Sequence, residues 1–283
     1  MKIGFYTALF PDLPIQLVAE WAAKENFDCL EVDFNRHIVD PAKTGQVVNT
    51  VRQVGLDVSS ITLFGALLTS DRGQEQKIRD IAKELVVAAA AADVFASVFF
   101  SGRDQSRSET ENYKSLAEFL AILEDCSASH PMKILLENWP GFHKNSIATT
   151  PEGWRTLFTF VNSTRIGLEF DPSHLLIQGI ETGPAYSEVQ DRVFLVHAKD
   201  AKLDPEKLQD EGYYGKWWNY RLPGQGDLDW GKFLSSLSRS GYSGPLIIEH
   251  EDLQYGFPNG DLQLRQEGLL RARQSLRDHL NQS

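Results

Sequence analysis

Cysteine is almost missing from this chain: 283 residues contain only Cys29 and Cys126. Without a CxxC pair or an even set of spaced cysteines, neither a disulfide framework nor a thiolate metal site can be built. Both residues are expected to be packing groups, as buried free cysteines commonly are. No apolar stretch is long enough to cross a bilayer, and the strand-like Lys2-Ile-Gly-Phe-Tyr-Thr7 at the start leaves no room for a signal peptide. The expectation is therefore no membrane and a cytoplasmic location. Runs of Lys and Arg are absent too, and the formal net charge is −11. Such a surface repels phosphate backbones, so no nucleic-acid partner is expected. A dinucleotide fingerprint is also lacking: Gly224-Gln-Gly226 comes nearest, but its sixth position is Asp229 and no clear strand precedes it.

What is present is alternation of strand and helix from end to end. Candidate strands are Ile3–Thr7, Cys29–Phe34, Asp57–Phe64, Val94–Ser101, Lys133–Glu137, Ile166–Asp171, Val193–His197 and Pro245–Glu249. They are rich in Val, Ile, Leu and Phe and barely alternate, as when both faces are covered. Helical stripes lie between them, the strongest from Gln74 to Ala92 through Ile78, Ile81, Ala82, Leu85 and Ala89. Asp12 is a candidate N-cap for the first helix, with Pro14 in its opening turn. Eight strands each followed by a helix most simply close into a single-domain (β/α)8 barrel over residues 1–283. A hydrophobic fraction of 42% and a charged fraction of 24% suit a folded domain of this kind.

One connection is too long. Roughly thirty residues separate Asp200 from Trp230, well beyond the usual loop limit of about 12–15. The segment carries Tyr213, Tyr214, Trp217, Trp218, Tyr220 and Arg221, more aromatics than a disordered stretch would spend. A folded, aromatic-rich lid over about 201–230 is expected.

Four of the strands end in a side chain suited to a metal: Glu137, Asp171, His197 and Glu249. In a barrel all strand ends of this sense open on one rim, where active sites are built. A single carboxylate after a strand is usually a helix cap or a loop ion pair. Three carboxylates and an imidazole on successive strands instead point to one divalent cation of the oxygen-preferring kind.

At these residues the chain resembles the xylose-isomerase-like barrel superfamily of sugar (phosphate) isomerases and epimerases, which includes an apurinic endonuclease branch. The carriers are Leu136-Glu-Asn138, Phe170-Asp-Pro-Ser-His174, Val196-His-Ala-Lys-Asp200, Pro223-Gly-Gln-Gly226 with Asp229-Trp230, and Ile248-Glu-His-Glu-Asp252. The resemblance implies one metal held by Glu137, Asp171, His197 and Glu249, manganese foremost, with magnesium, cobalt or zinc as alternatives. It also implies that Glu137 and Glu249 are the acid/base pair. Removing a proton α to a carbonyl leaves an enediolate, whose charge a divalent ion stabilises. The endonuclease branch adds histidines from strands three and four, whereas here those strands run into Leu63-Phe-Gly-Ala-Leu67 and Phe100-Ser-Gly-Arg103.

Several neighbours are expected to meet the substrate. His174 is placed beside the metal, as substrate ligand or as the group orienting Asp171. Trp139 is a platform for the apolar face of a sugar ring, and Lys199 and Arg221 are partners for substrate oxygens. Asp200 is read as structural, His250 as packed behind the wall, and His143 as an alternative base or a solvated loop residue. The activity implied is isomerisation or epimerisation of a ketose, keto-inositol or related polyol. A 3-keto-glycoside lyase or inosose-type dehydratase would use the same chemistry, and a non-catalytic sugar-binding barrel is the third possibility. Gly224-Gln-Gly226 reads better as a turn closing the lid than as a phosphate cradle, so a non-phosphorylated substrate is preferred. Barrels of this group often pair, so the resemblance leaves a homodimer open, while the sequence itself does not set the oligomeric state.

Overall fold

A computed structural model describes residues 1–141, 145–213 and 215–282. All eight expected strands form. They are β1 (Ile3–Tyr6), β2 (Cys29–Asp33), β3 (Asp57–Leu68), β4 (Ala96–Gly102), β5 (Lys133–Glu137), β6 (Ile166–Phe170), β7 (Val193–His197) and, after two strands of an insertion, β10 (Leu246–Ile248). They close in the order β1-β10-β7-β6-β5-β4-β3-β2, with every neighbouring pair parallel. Helices α1 (Ile15–Lys24), α2 (Thr44–Gln53), α3 (Arg72–Ala91), α4 (Glu109–Cys126), α5 (Pro151–Phe160), α6 (Pro172–Leu176) and α7 (Thr182–Val189) cover the outside. After the insertion, α9 (Trp230–Arg239) and α10 (Leu262–Gln282) complete the ring. None is long and apolar enough to cross a membrane among the described residues.

Local signals explain most boundaries. Asp71 caps α3 by accepting from Gln74 N, and Ser108 with Glu111 forms a capping box on α4. The expected cap at Asp12 does not form. Pro14 precedes α1, and Asp12 instead binds the buried guanidinium of Arg265 at 2.9 and 3.0 Å, tying α10 to the first loop. Strand β3 runs four residues beyond its expected end, to Leu68. A π-helical turn after β2, Phe34–Ile38, sets Asn35 across from it.

Alternation along each strand divides the barrel into two environments. Outward residues join the helices in one large core that includes Trp154, Trp230 and Phe170. Inward residues Ala96, Val98, Leu135 and Leu195 pack together as a small apolar layer. Tyr6, Cys29 and Ile247 form another small cluster, and polar side chains fill positions nearer the rim: Glu31, Ser60, Thr62, Glu169 and His197 are all fully buried.

The long connection is folded. Strand β8 (Asp200–Leu203) pairs antiparallel with β9 (Trp218–Arg221), and α8 (Pro205–Glu211) lies between them. Asp200 anchors the base of this unit. Its carboxylate accepts from the backbone N–H groups of Ala201, Gly224, Gly226 and Leu228 and from the Trp230 indole, at 2.8–3.1 Å. A side chain at Gly226 would meet Asp200 Oδ1 at 2.1 Å, so glycine is required for this approach. The glycine amides are thereby consumed in closing the loop.

Candidate metal centre

Glu137 closes β5, Asp171 follows β6, His197 closes β7 and Glu249 follows β10. One ligand atom from each lies within 4.8 Å of the others. Three of the four are fully buried or nearly so, and Glu249 retains 14% side-chain exposure. The local chain fixes their aim. Asn138 accepts from Asp171 N at 2.7 Å and donates to Asp171 O at 2.9 Å, locking the ends of β5 and β6 together. Asp171 also caps α6, using Oδ1 to accept from Ser173 N, which leaves Oδ2 turned toward the cluster.

Two features of this set suit a cation. Glu137 Oε1, Asp171 Oδ2 and His197 Nδ1 are buried and face only the charged or titratable groups of the cluster itself, His174, Lys199 and Glu249, a crowding of like charge that a cation would relieve. Carboxylates also outnumber cations. Lys199 Nζ lies 3.1 Å from Asp171, 2.5 Å from Glu249 and 2.9 Å from Glu251, so one ammonium faces three carboxylates. The residues therefore fit a divalent ion, with hard oxygen donors and one imidazole.

The electrostatics differ sharply from group to group. Burial, helped by the neighbouring Glu249, pushes the Glu137 carboxyl up to about 7. Burial acts the same way on Glu249, but the Lys199 ammonium and His197 outweigh it and hold that carboxyl well below the usual range. His174 is driven down to about 3 by burial. It is wholly enclosed, with Nδ1 3.2 Å from Glu137 Oε1 and 3.6 Å from Asp171 Oδ2. His197 is also desolvated, yet Glu169, Glu249 and Glu31 around it raise its pKa.

A cavity of about 910 Å³ opens over this cluster. Glu137, Glu249, His174, Lys199 and Trp139 all line it, so five of the sequence-derived candidates share one space. Asp171 and His197 lie beneath the first two. Arg221 is not brought there: its guanidinium binds Asp252 at 3.0 Å and Gln225 at 2.8 Å, and it does not line the cavity. The register explains this, because Arg221 opposes Asp200 at the base of the β8–β9 pair while Tyr220 and Trp218 face inward. Tyr220 lies under the Lys199 ammonium, 4.4 Å from Nζ to the ring centre, and edge-on to His174 at 5.8 Å. His250 packs on Tyr255 and so close to α10 that a side chain at Gly268 would strike it. His143 and Tyr214 lie outside the described residues.

Sequence reasoning missed a second acidic layer. Glu31 and Glu169 each approach His197 Nε2 to 3.2 Å from below, opposite the nitrogen that faces Glu249. Glu31 is held by Ser60 and Thr62, at 2.8 and 2.6 Å. Asp33 and Tyr6, joined by a 2.6 Å hydrogen bond, add to the cavity wall, as does Glu251. The overlooked signal was parity: Glu31 and Asp33, like Glu169 and Asp171, are two residues apart and share the inner face.

Comparison with known proteins agrees with this architecture. The chain belongs to the xylose isomerase-like TIM barrel family, whose model matches residues 19–278. It is 34% identical over 136 residues to the uncharacterised protein YfiH of Bacillus subtilis, covering 43% of this chain and 41% of that one. It is 28% identical over 153 residues to an inosose dehydratase of Lacticaseibacillus casei, covering 52% and 50%. The chain thus matches half or less of the length of these relatives. Among solved structures, the D-psicose 3-epimerase of Clostridium cellulolyticum H10 superposes with a TM-score of 0.77 at 15% identity, over 99% of both chains. The 3-keto-D-glucoside 4-epimerase YcjR of E. coli gives 0.74 at 17%, over 98% of this chain and 99% of that one. These two likenesses concern the fold.

Proposed function

We propose that this chain is a divalent-metal-dependent isomerase or epimerase for a ketose, keto-inositol or related polyol. The observation that carries the reading is the convergence of Glu137, Asp171, His197 and Glu249 beside one cavity, with a ligand atom of each within 4.8 Å of the others. These four residues would hold the ion, with manganese the first candidate and magnesium, cobalt or zinc the alternatives. When bound, such an ion supplies Lewis-acid stabilisation to the enediolate left by removal of a proton α to a carbonyl.

The protein's own side chains do the rest. Glu137 and Glu249 both reach the cavity and are assigned to take and return the proton. Lys199 grips Glu249 and Glu251 together, fixing the former and offering its remaining reach to a substrate oxygen. His174, enclosed between Glu137, Asp171 and Tyr220, is a neutral imidazole placed to position ligand and substrate. Trp139 offers an apolar surface to the substrate.

A second reading, elimination, draws on a specific feature. Glu251 is a further carboxylate on the cavity, beside Glu249 and Lys199 and so placed to serve a departing group, and the partial match to an inosose dehydratase points the same way. Incubation with ketoses, inososes and 3-keto-glucosides in heavy water separates the two. Deuterium entering the α-carbon without loss of any group marks isomerisation; loss of water or an aglycone marks elimination. Protein that retains no divalent ion and exchanges no α-hydrogen would refute both.

A further inference from the structure

The cavity is larger than the chemistry at its floor needs. Pockets for drug-sized ligands run from about 300 to 1,000 Å³, and this one, at about 910 Å³, sits near the top of that range. A single sugar ring on the metal cluster leaves much of it unfilled.

The wall formed by the ends of β3, β4 and β5 differs from the rest. Phe64, Phe100 and Trp139 meet there in a triangle, with ring centres 5.3, 5.6 and 5.7 Å apart. Pro140 extends the same wall. Phe64 is 48% exposed, although a phenyl ring gains by leaving water. It is held in that position. Asn35 donates to Phe64 O at 3.1 Å and accepts from Phe64 N at 2.8 Å, so both ends of the amide are spent on presenting this residue. The aromatics of β9 are used otherwise: Tyr220 faces Lys199 and His174, and Trp218 packs on Tyr220 at 4.7 Å.

We propose that Phe64, Phe100 and Trp139 form a subsite for an aromatic aglycone, and that the substrate is a keto-sugar carrying such a group rather than a free monosaccharide. The proposal rests on the functional reading for the sugar half and adds the second half of the ligand. An aromatic ring suits this wall because it can lie offset or edge-on against the half-exposed Phe64 ring, which the other two support from behind. A second sugar ring suits it less. Its hydroxyls would be buried against the phenyl groups, and an unmatched hydroxyl costs about 1–3 kcal/mol.

The test compares phenyl and methyl 3-keto-glucosides by calorimetric titration of the manganese-loaded protein. The phenyl compound should bind about tenfold tighter or more. That ratio should fall toward one in Phe64→Ala and stay at the wild-type value in Phe160→Ala, an exposed phenylalanine on α5. Equal affinities in the wild type, an unaltered ratio in Phe64→Ala, or no binding of either compound at millimolar concentration would each overturn the subsite. So would a preference for a 3-keto-cellobioside over both, which would mark the wall as a sugar platform. Metal titration and α-deuterium exchange with the methyl compound report separately on the reaction. A normal exchange with no aglycone preference removes only the subsite, and a clear preference without exchange removes only the chemistry.

Discussion

Glu169 Oε1 lies 3.2 Å from His197 Nε2, on the opposite side of the ring from Glu249, which approaches Nδ1 at 3.1 Å. The imidazole is thus held edge to edge between two carboxylate layers. Carboxylates on the Nε2 side would hold the ring's orientation and, with an ion bound on the Nδ1 side, keep the remaining proton on Nε2. Glu169→Gln should weaken divalent-ion binding about 10–100-fold while leaving the circular dichroism spectrum unchanged. Isothermal titration with manganese checks this, and an unchanged affinity would relieve Glu169 of any part in holding the ring.

Glu249→Gln keeps the shape of its side chain and removes the charge that Lys199 and His197 face. Exchange of the α-hydrogen should fall by about 10²–10⁴-fold, with weaker ion retention. Mass spectrometry of the recovered substrate, at saturating ion, gives the first number. Full exchange in this variant would reassign the base.

Asp200 gathers five donors in the protein interior. Asp200→Ala strands the amides of Gly224, Gly226 and Leu228 and the Trp230 indole. A loss of about 3 kcal/mol or more is expected, read as a lower urea midpoint. A loss under about 0.5 kcal/mol, the range of ordinary surface changes, would mean that the loop closes without it.

Cys29 is wholly enclosed, and burial pushes its thiol up to about 12. Only the thiolate reacts with alkylating agents. At pH 8 iodoacetamide should leave Cys29 unmodified in the folded protein and label it fully in urea, as peptide mass mapping would show. Rapid labelling of the native chain would contradict the enclosure.

The four strand-end residues of the candidate centre were legible because each stood at the boundary of an apolar run, where a charge is conspicuous. Glu31 and Glu169 were not, since a charge inside a run reads as an interruption until the barrel's inner face is counted out. The placement of Arg221 was not legible for a different reason. Its direction depends on which residue of β8 it opposes, and pairing across the intervening α8 leaves no mark in local spacing. The lid segment was recognisable by length and aromatics, but β8 and β9 are four residues each, too short to announce themselves by periodicity. Asp12 looked like a helix cap because its true partner, Arg265, is far away in sequence.

Asp200 stands only three positions after His197, and through it the buried acidic cluster and the aromatic hairpin share one anchor. A designer wishing to exchange the hairpin for another should therefore cut distal to that anchor, within β8 and β9. Asp200 with the Gly224–Trp230 turn would then remain as a fixed socket. Hairpins of different shape could be traded there as cartridges, altering which molecules enter while the histidine beneath stays in register.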